Sequence, residues 1–144
     1  MAQINTGRVV LGGLAAGLVM NVVDFLVNNL WLGSRWEAQT EMFHPGLAEK
    51  AGNLPMIGFI ALDFVLGLVL VWLYAAIRPR FGPGPKTALI ASIALFIAVG
   101  GAFTSYWFMA FYTWKLVAAA SAGGLVSMVA AGDVGGMLYQ EEGQ

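Results

Sequence analysis

The chain contains no cysteine, which removes disulfides, thiol catalysis and thiolate metal ligation together. Charge is almost as scarce: Asp, Glu, Lys and Arg make up 10% of its 144 residues, against roughly 25% in an average soluble domain. The seven Lys/Arg and eight Asp/Glu leave a formal charge of −1 and form no basic stripe, so nucleic acid is not an expected partner. A single histidine, His44, is too little for a metal set and reads as an exposed loop residue. GxSxG, HExxH and phosphate-binding glycine loops are also missing, so no metal, cofactor or nucleophilic centre is expected.

What is present is apolar. Hydrophobic residues make up 59% of the chain and mean hydropathy is +0.76, which points to a membrane protein. Crossing a hydrocarbon core of ~30 Å takes about 20 helical residues. Four windows of that length occur, at about 8–32, 55–77, 86–112 and 116–140. Trp and Tyr residues at their borders suit bilayer interfaces. The first window holds Asn21 and Asp24 and lacks a small-x-small cleavage site, so it reads as a retained helix rather than a signal peptide. The expected fold is all-α: one membrane domain over 1–144, an antiparallel four-transmembrane-helix bundle.

The connections differ in kind. RPRFGPGPK reads as a stiff hairpin and TWK as a very short turn, making consecutive helices antiparallel neighbours. The first connection, 33–54, is long and polar. Within it WEAQTEMF predicts a short interfacial helix with Trp36, Met42 and Phe43 toward lipid, ended by Pro45 and Gly46. Arg8, Arg78, Arg80 and Lys86 fall on one side of the four spans, and Arg35, Lys50 and Lys115 on the other. Positive charge in short loops stays inside, which places both termini in the cytoplasm and 33–54 outside.

Polar residues within the spans are the candidate site. Asp24 lies eight residues in from 32, and Asp63 eight in from 55, so at 1.5 Å per residue both carboxyls would sit ~12 Å deep. Thr104 and Ser105, counted from Tyr112, reach the same level, as do Gly123 and Gly124 on the fourth span. Gly13, Gly17, Asn21, Asp24 and Asn28 recur at helical spacing and form one stripe, small below and polar above. Gly67 lies one turn from Asp63, and Gly124, Gly132 and Gly136 give the fourth span its own small-residue face, suited to close helix packing.

An acid deep in a membrane helix costs about 2.5–3.5 kcal/mol on insertion scales, so it should face the bundle or a wet cavity. Asp24 and Asp63 could share a proton or a bound cation there. The competing reading is interhelical hydrogen bonding worth ~0.6 kcal/mol per group, which suits Asn21, Asn28, Thr104 and Ser105. Asp133, near the inner end, is expected to reach water or to pair with Arg8.

WLYAAIRPRFGPGPKTALIA at 72–91, with N-x-x-D-F-x-x-N at 21–28, resembles a family of small, uncharacterised bacterial membrane proteins with four predicted spans. The resemblance implies the four-span fold and a bacterial inner membrane, and implies no activity. Small multidrug transporters, with four short helices and a carboxylate on the first, offer an architectural analogy only. The residues support two functions. One is a non-enzymatic accessory or self-assembling subunit whose glycine faces pack against a second copy or another membrane protein. The other is a small proton- or cation-coupled transporter or channel working through Asp24 and Asp63. A two-carboxylate intramembrane hydrolase is the enzymatic alternative, and it lacks its partner motifs.

Overall fold

Asn5 opens the first helix by accepting the Arg8 backbone N–H on its side chain at 3.1 Å, an N-cap that satisfies one orphan donor. The computed structural model describes residues 4–141. Among these the order is α1 (Thr6–Asp24), continuing directly as a π-helix (Phe25–Trp31), then α2 (Gly33–Phe43), α3 (Leu47–Ala51), α4 (Leu54–Phe81), α5 (Pro85–Phe108) and α6 (Trp114–Leu138). Four stretches are long and apolar enough to cross a membrane: Thr6–Trp31, Leu54–Phe81, Pro85–Phe108 and Trp114–Leu138.

The boundaries differ from the sequence expectation in ways that matter for the site. Helix α4 runs past Ile77 to Phe81 and carries Pro79 inside its last turns. Gly82, at φ 82°, then ends it by donating to the Arg78 carbonyl at 2.8 Å. Much of the expected RPRFGPGPK hairpin is therefore helix, and Pro85 begins the next one, as suits a residue with fixed φ and no N–H. Helix α5 stops at Phe108, four residues short of Tyr112. Ala110 turns left-handed at φ 59° while Phe111 N–H donates to the Tyr106 carbonyl. The link between α5 and α6 is thus 109–113, with Trp114 and Lys115 already in α6.

The helix expected at WEAQTEMF is longer, spanning Gly33–Phe43, and a second short helix, Leu47–Ala51, comes after it. Met42 and Phe43 are exposed. Trp36 is not turned outward with them. Its ring packs edge-on against Tyr112 at 5.1 Å and on Phe103 at 6.3 Å, because the early end of α5 brings those aromatics beneath α2.

Helix α1 packs mainly on α4 and α6, and α5 packs mainly on α6. Small residues set these distances. A Cβ at Gly13 would lie 2.7 Å from Leu68 Cα, and one at Gly17 would lie 2.7 Å from Phe64 Cα. Gly67 faces the backbone of Gly13 and Gly17 in return. Asn21 extends the series by donating from Nδ2 to the Ile60 carbonyl at 3.3 Å. As these residues climb α1, their partners Leu68, Phe64 and Ile60 descend the sequence of α4. On the other side a Cβ at Gly12 would lie 2.8 Å from the Gly135 carbonyl oxygen. Between α5 and α6, Gly132 leaves room for Ser92, whose hydroxyl lies 2.9 Å from the Ala88 carbonyl and 3.0 Å from that of Met128.

The interior is correspondingly lean. Ala16, Leu70, Val71, Ala91 and Ala131 are fully buried, while Leu30, Phe59 and Ile97 are about two-thirds exposed. An outer surface richer in large apolar groups than the inner contact suits lipid rather than water.

Gly17→Val should therefore be disruptive where Gly124→Ala is not, since a Cβ at Gly124 would meet only Phe96, at 4.0 Å. Unfolding of the purified protein in mixed micelles should show Gly17→Val less stable by at least ~1–3 kcal/mol, the usual cost of overpacking, and Gly124→Ala within about 0.5 kcal/mol of the parent.

Candidate functional site: a two-carboxylate cluster on three helices

Asp24 closes the α-helical part of α1, and Asp63 sits on α4 one turn before the Gly67 notch. The α1–α4 register set by Gly13, Gly17 and Asn21 continues to Ile57 opposite Asp24, so Asp63 lies more than a turn beyond that level. The carboxyls nonetheless meet. Helical Cα–Cβ bonds tilt toward the helix N-terminus, and the opposed register points those tilts toward each other. Asp24 and Asp63 lie close enough for their side chains to interact.

Helix α6 supplies a third member, Ser127, close enough to interact with the Asp24 side chain. Ser127 is 2% exposed, and neither its Oγ nor Asp24 Oδ1 closes a hydrogen bond of good geometry with the chain. Asp63 is buried as well, at 8% exposure. Two acids and a hydroxyl from three helices thus converge, with Asp24 Oδ1 and Ser127 Oγ still unsatisfied. Buried polar atoms left in this state are rare and call for a physical reason.

The remaining polar positions separate from this cluster. Asn21 is adjacent, one turn below Asp24, but its amide is taken up by the Gly17 and Ile60 carbonyls at 2.9 and 3.3 Å. It ties α1 to α4 and so fixes the height at which the carboxyls approach. Asn28 leaves the stripe because the backbone turns π-helical immediately after Asp24, and the wider turn carries it away from α-helical spacing. Its Oδ1 accepts from Trp36 Nε1 at 3.2 Å, tethering α2, which is held at its far side by Gln39 and Thr113. In the same π segment Val27 fills the notch over Gly123.

Thr104 and Ser105 do not reach the carboxyl layer. Counting from Tyr112 placed them too deep, since α5 ends at Phe108. Their hydroxyls bond back to Gly100 and Ala102 carbonyls at 2.8 and 2.6 Å, and Thr104 lines an outer cleft with Trp107 and Trp114. Of the proposed packing glycines, Gly13, Gly17, Gly67 and Gly132 make close approaches within the chain, whereas Gly124 and Gly136 have room for a methyl. Asp133 lines a pocket with Arg78 near the other end of the helices. His44 lies beside Phe111, ring centroids 6.2 Å apart.

Ser127 does not stand at the acids' own level along the fourth span, so depth counting alone does not point to it. Side-chain tilt puts Asp24's partners a turn deeper on both neighbouring helices. A buried serine in an apolar run, VSMV, is the signal that could have found it.

Two carboxyls this close, one buried and one half-buried, have the chemistry to share a proton or hold a cation. Among the described residues no group of three or more His, Cys, Asp or Glu is placed to bind a metal ion, so the donor set here is two carboxylates and a hydroxyl, all hard oxygen ligands. No family model, curated protein or solved structure matches the chain, and the function of the cluster rests on its geometry.

Contact between the carboxyls predicts coupled vibrational behaviour. In infrared difference spectra recorded across a pH titration, the carboxyl band surviving in Asp63→Asn should be displaced from its position in the parent, and likewise for Asp24→Asn. Bands that stay in place in both variants would contradict a shared site.

Proposed function

We propose that this is a multi-pass membrane protein with four antiparallel spans, α2 lying in the outer interface, and both termini cytoplasmic. Its working centre is the Asp24–Asp63–Ser127 cluster, the coupling site of a small proton- or cation-driven transporter or channel. The observation that carries this reading is that two acids from different helices approach one another, and that Asp24 lies beside a buried serine hydroxyl which closes no hydrogen bond of good geometry. Ionisable groups within spans are expensive and mark ion and proton pathways more often than packing, and transporter sites recur near the middle of the bilayer between helices.

The accessory-subunit reading depended on glycine faces free for a partner. Gly13, Gly17 and Gly67 are instead filled by the chain's own α1–α4 contact, and Gly132 by Ser92. Assembly with a second copy, which would complete a pathway that four helices alone rarely enclose, is left to the lipid-facing surfaces. The π-helix above Asp24 supports a moving part, because π turns relax to α by a register shift that rotates the residues C-terminal to them. In this scheme loss of the Asn28–Trp36 bond frees α2 and opens the cluster to the outer side. The role is non-enzymatic: Ser127 has no base to activate it other than a carboxyl that is already paired with another.

Proteoliposomes carrying a pH gradient or an alkali-cation gradient should show a flux that is abolished by Asp24→Asn, reduced at least tenfold by Asp63→Asn, and left within about twofold by Asn29→Ala on the exposed side of the π segment. Folded protein that passes neither protons nor alkali cations would overturn the transport reading in favour of a structural subunit.

A further inference from the structure

At the end of the helices opposite the carboxyl cluster, a cavity of about 330 Å³ opens between the α4–α5 turn and the last turns of α6. Arg78 and Asp133 both line it, as do Tyr74, Tyr139, Gly84 and Gly136. Its walls are built rather than incidental. Tyr139 is 4% exposed, meets Tyr74 edge-on at 6.0 Å, and its hydroxyl accepts the Asn5 N–H at 3.3 Å. The Tyr74 hydroxyl accepts the Gly84 N–H at 3.1 Å, which holds the turn against α4. Gly136 has room for a methyl against the Tyr74 ring, so the small residue there keeps the pocket open rather than permitting helix contact.

The charges inside are of both signs. Arg78, 8% exposed, stands over the Tyr139 ring at 5.6 Å and pairs with Glu141 from the chain's tail at 2.8 Å. Asp133 brings a carboxylate to the same cavity from α6. A guanidinium fork is the side chain best shaped for a phosphate. A carboxylate and two aromatic rings nearby suit an ammonium.

We infer that this cavity binds a phosphoethanolamine headgroup, with its phosphate on Arg78 and its primary ammonium on Asp133, and that Glu141 is an internal carboxylate that competes for Arg78. A purely anionic headgroup could use Arg78 but would bring no positive group to Asp133. A quaternary ammonium would place methyl groups where Asp133 needs N–H donors. The inference rests on the chain lying in a bilayer, which sets this cavity at headgroup depth, and it is independent of the coupling role of Asp24 and Asp63.

Delipidated full-length protein titrated with phosphatidylethanolamine, phosphatidylcholine and phosphatidylglycerol, and read by native mass spectrometry, tests this. Phosphatidylethanolamine should bind about tenfold more tightly than either other lipid, the effect of one charge-assisted hydrogen bond. Glu141→Gln, in the partly exposed tail, should strengthen that binding, and Asp133→Asn should erase the preference over phosphatidylglycerol. Soluble glycerophosphoethanolamine separates the two sources of the headgroup: displacement at equal concentration assigns the site to a free ester, and retention of the lipid assigns it to the bilayer. Equal binding of the three lipids by the parent protein would overturn the inference, as would preferences unmoved by both Glu141→Gln and Asp133→Asn.

Discussion

The near-contact of α1 with α4 is the constraint on which the rest depends. Gly13, Gly17 and Gly67 remove three side chains from one seam, and the backbones close until a methyl at any of these positions would strike main chain. Lipid offers little hydrophobic reason for helices to associate, so this kind of contact, together with interhelical hydrogen bonds, has to supply the cohesion. Asn21 adds such a bond at the upper end of the seam by reaching the Ile60 carbonyl. Asp24 and Asp63 sit just beyond it. With larger residues in the seam the two helices would stand apart and the carboxyls would lose one another.

The π-helix is the complementary feature. Up to Asp24 the chain keeps α-helical spacing and packs by glycine; from Phe25 it widens, seats Val27 on Gly123 and hands Asn28 to Trp36. A rigidly packed lower half and a tethered upper half therefore join at the acid. In the transport reading proposed above, that junction is where the coupling site sits, with the seam positioning the carboxyls and the upper half governing access to them.

The sequence carried the helical class and the four long apolar stretches, because each comes from composition or from period alone. It did not carry the depth of the partners. Counting from helix ends assumed that α5 reached Tyr112 and that groups meet at their own level. Thr104 and Ser105 fell out for the first reason, and Ser127 was missed for the second. Asn28 was misassigned because a π turn leaves no mark in residue spacing. The glycine faces were legible as faces, but whether they bind another chain or this one is a question of tertiary contact that no single sequence answers. Arg78 passed for a loop charge until α4 was seen to extend beyond it, carrying it into the wall of the inner cavity.

The claim that Asp24 and Asp63 act as one unit is tested most directly by a double-mutant cycle on unfolding free energy, using Asp24→Asn, Asp63→Asn and the pair in mixed micelles. Residues that share a proton or an ion should show a coupling of about 0.5–3 kcal/mol. Additivity within ~0.3 kcal/mol would mean that the two acids do not sense each other, and would contradict the account.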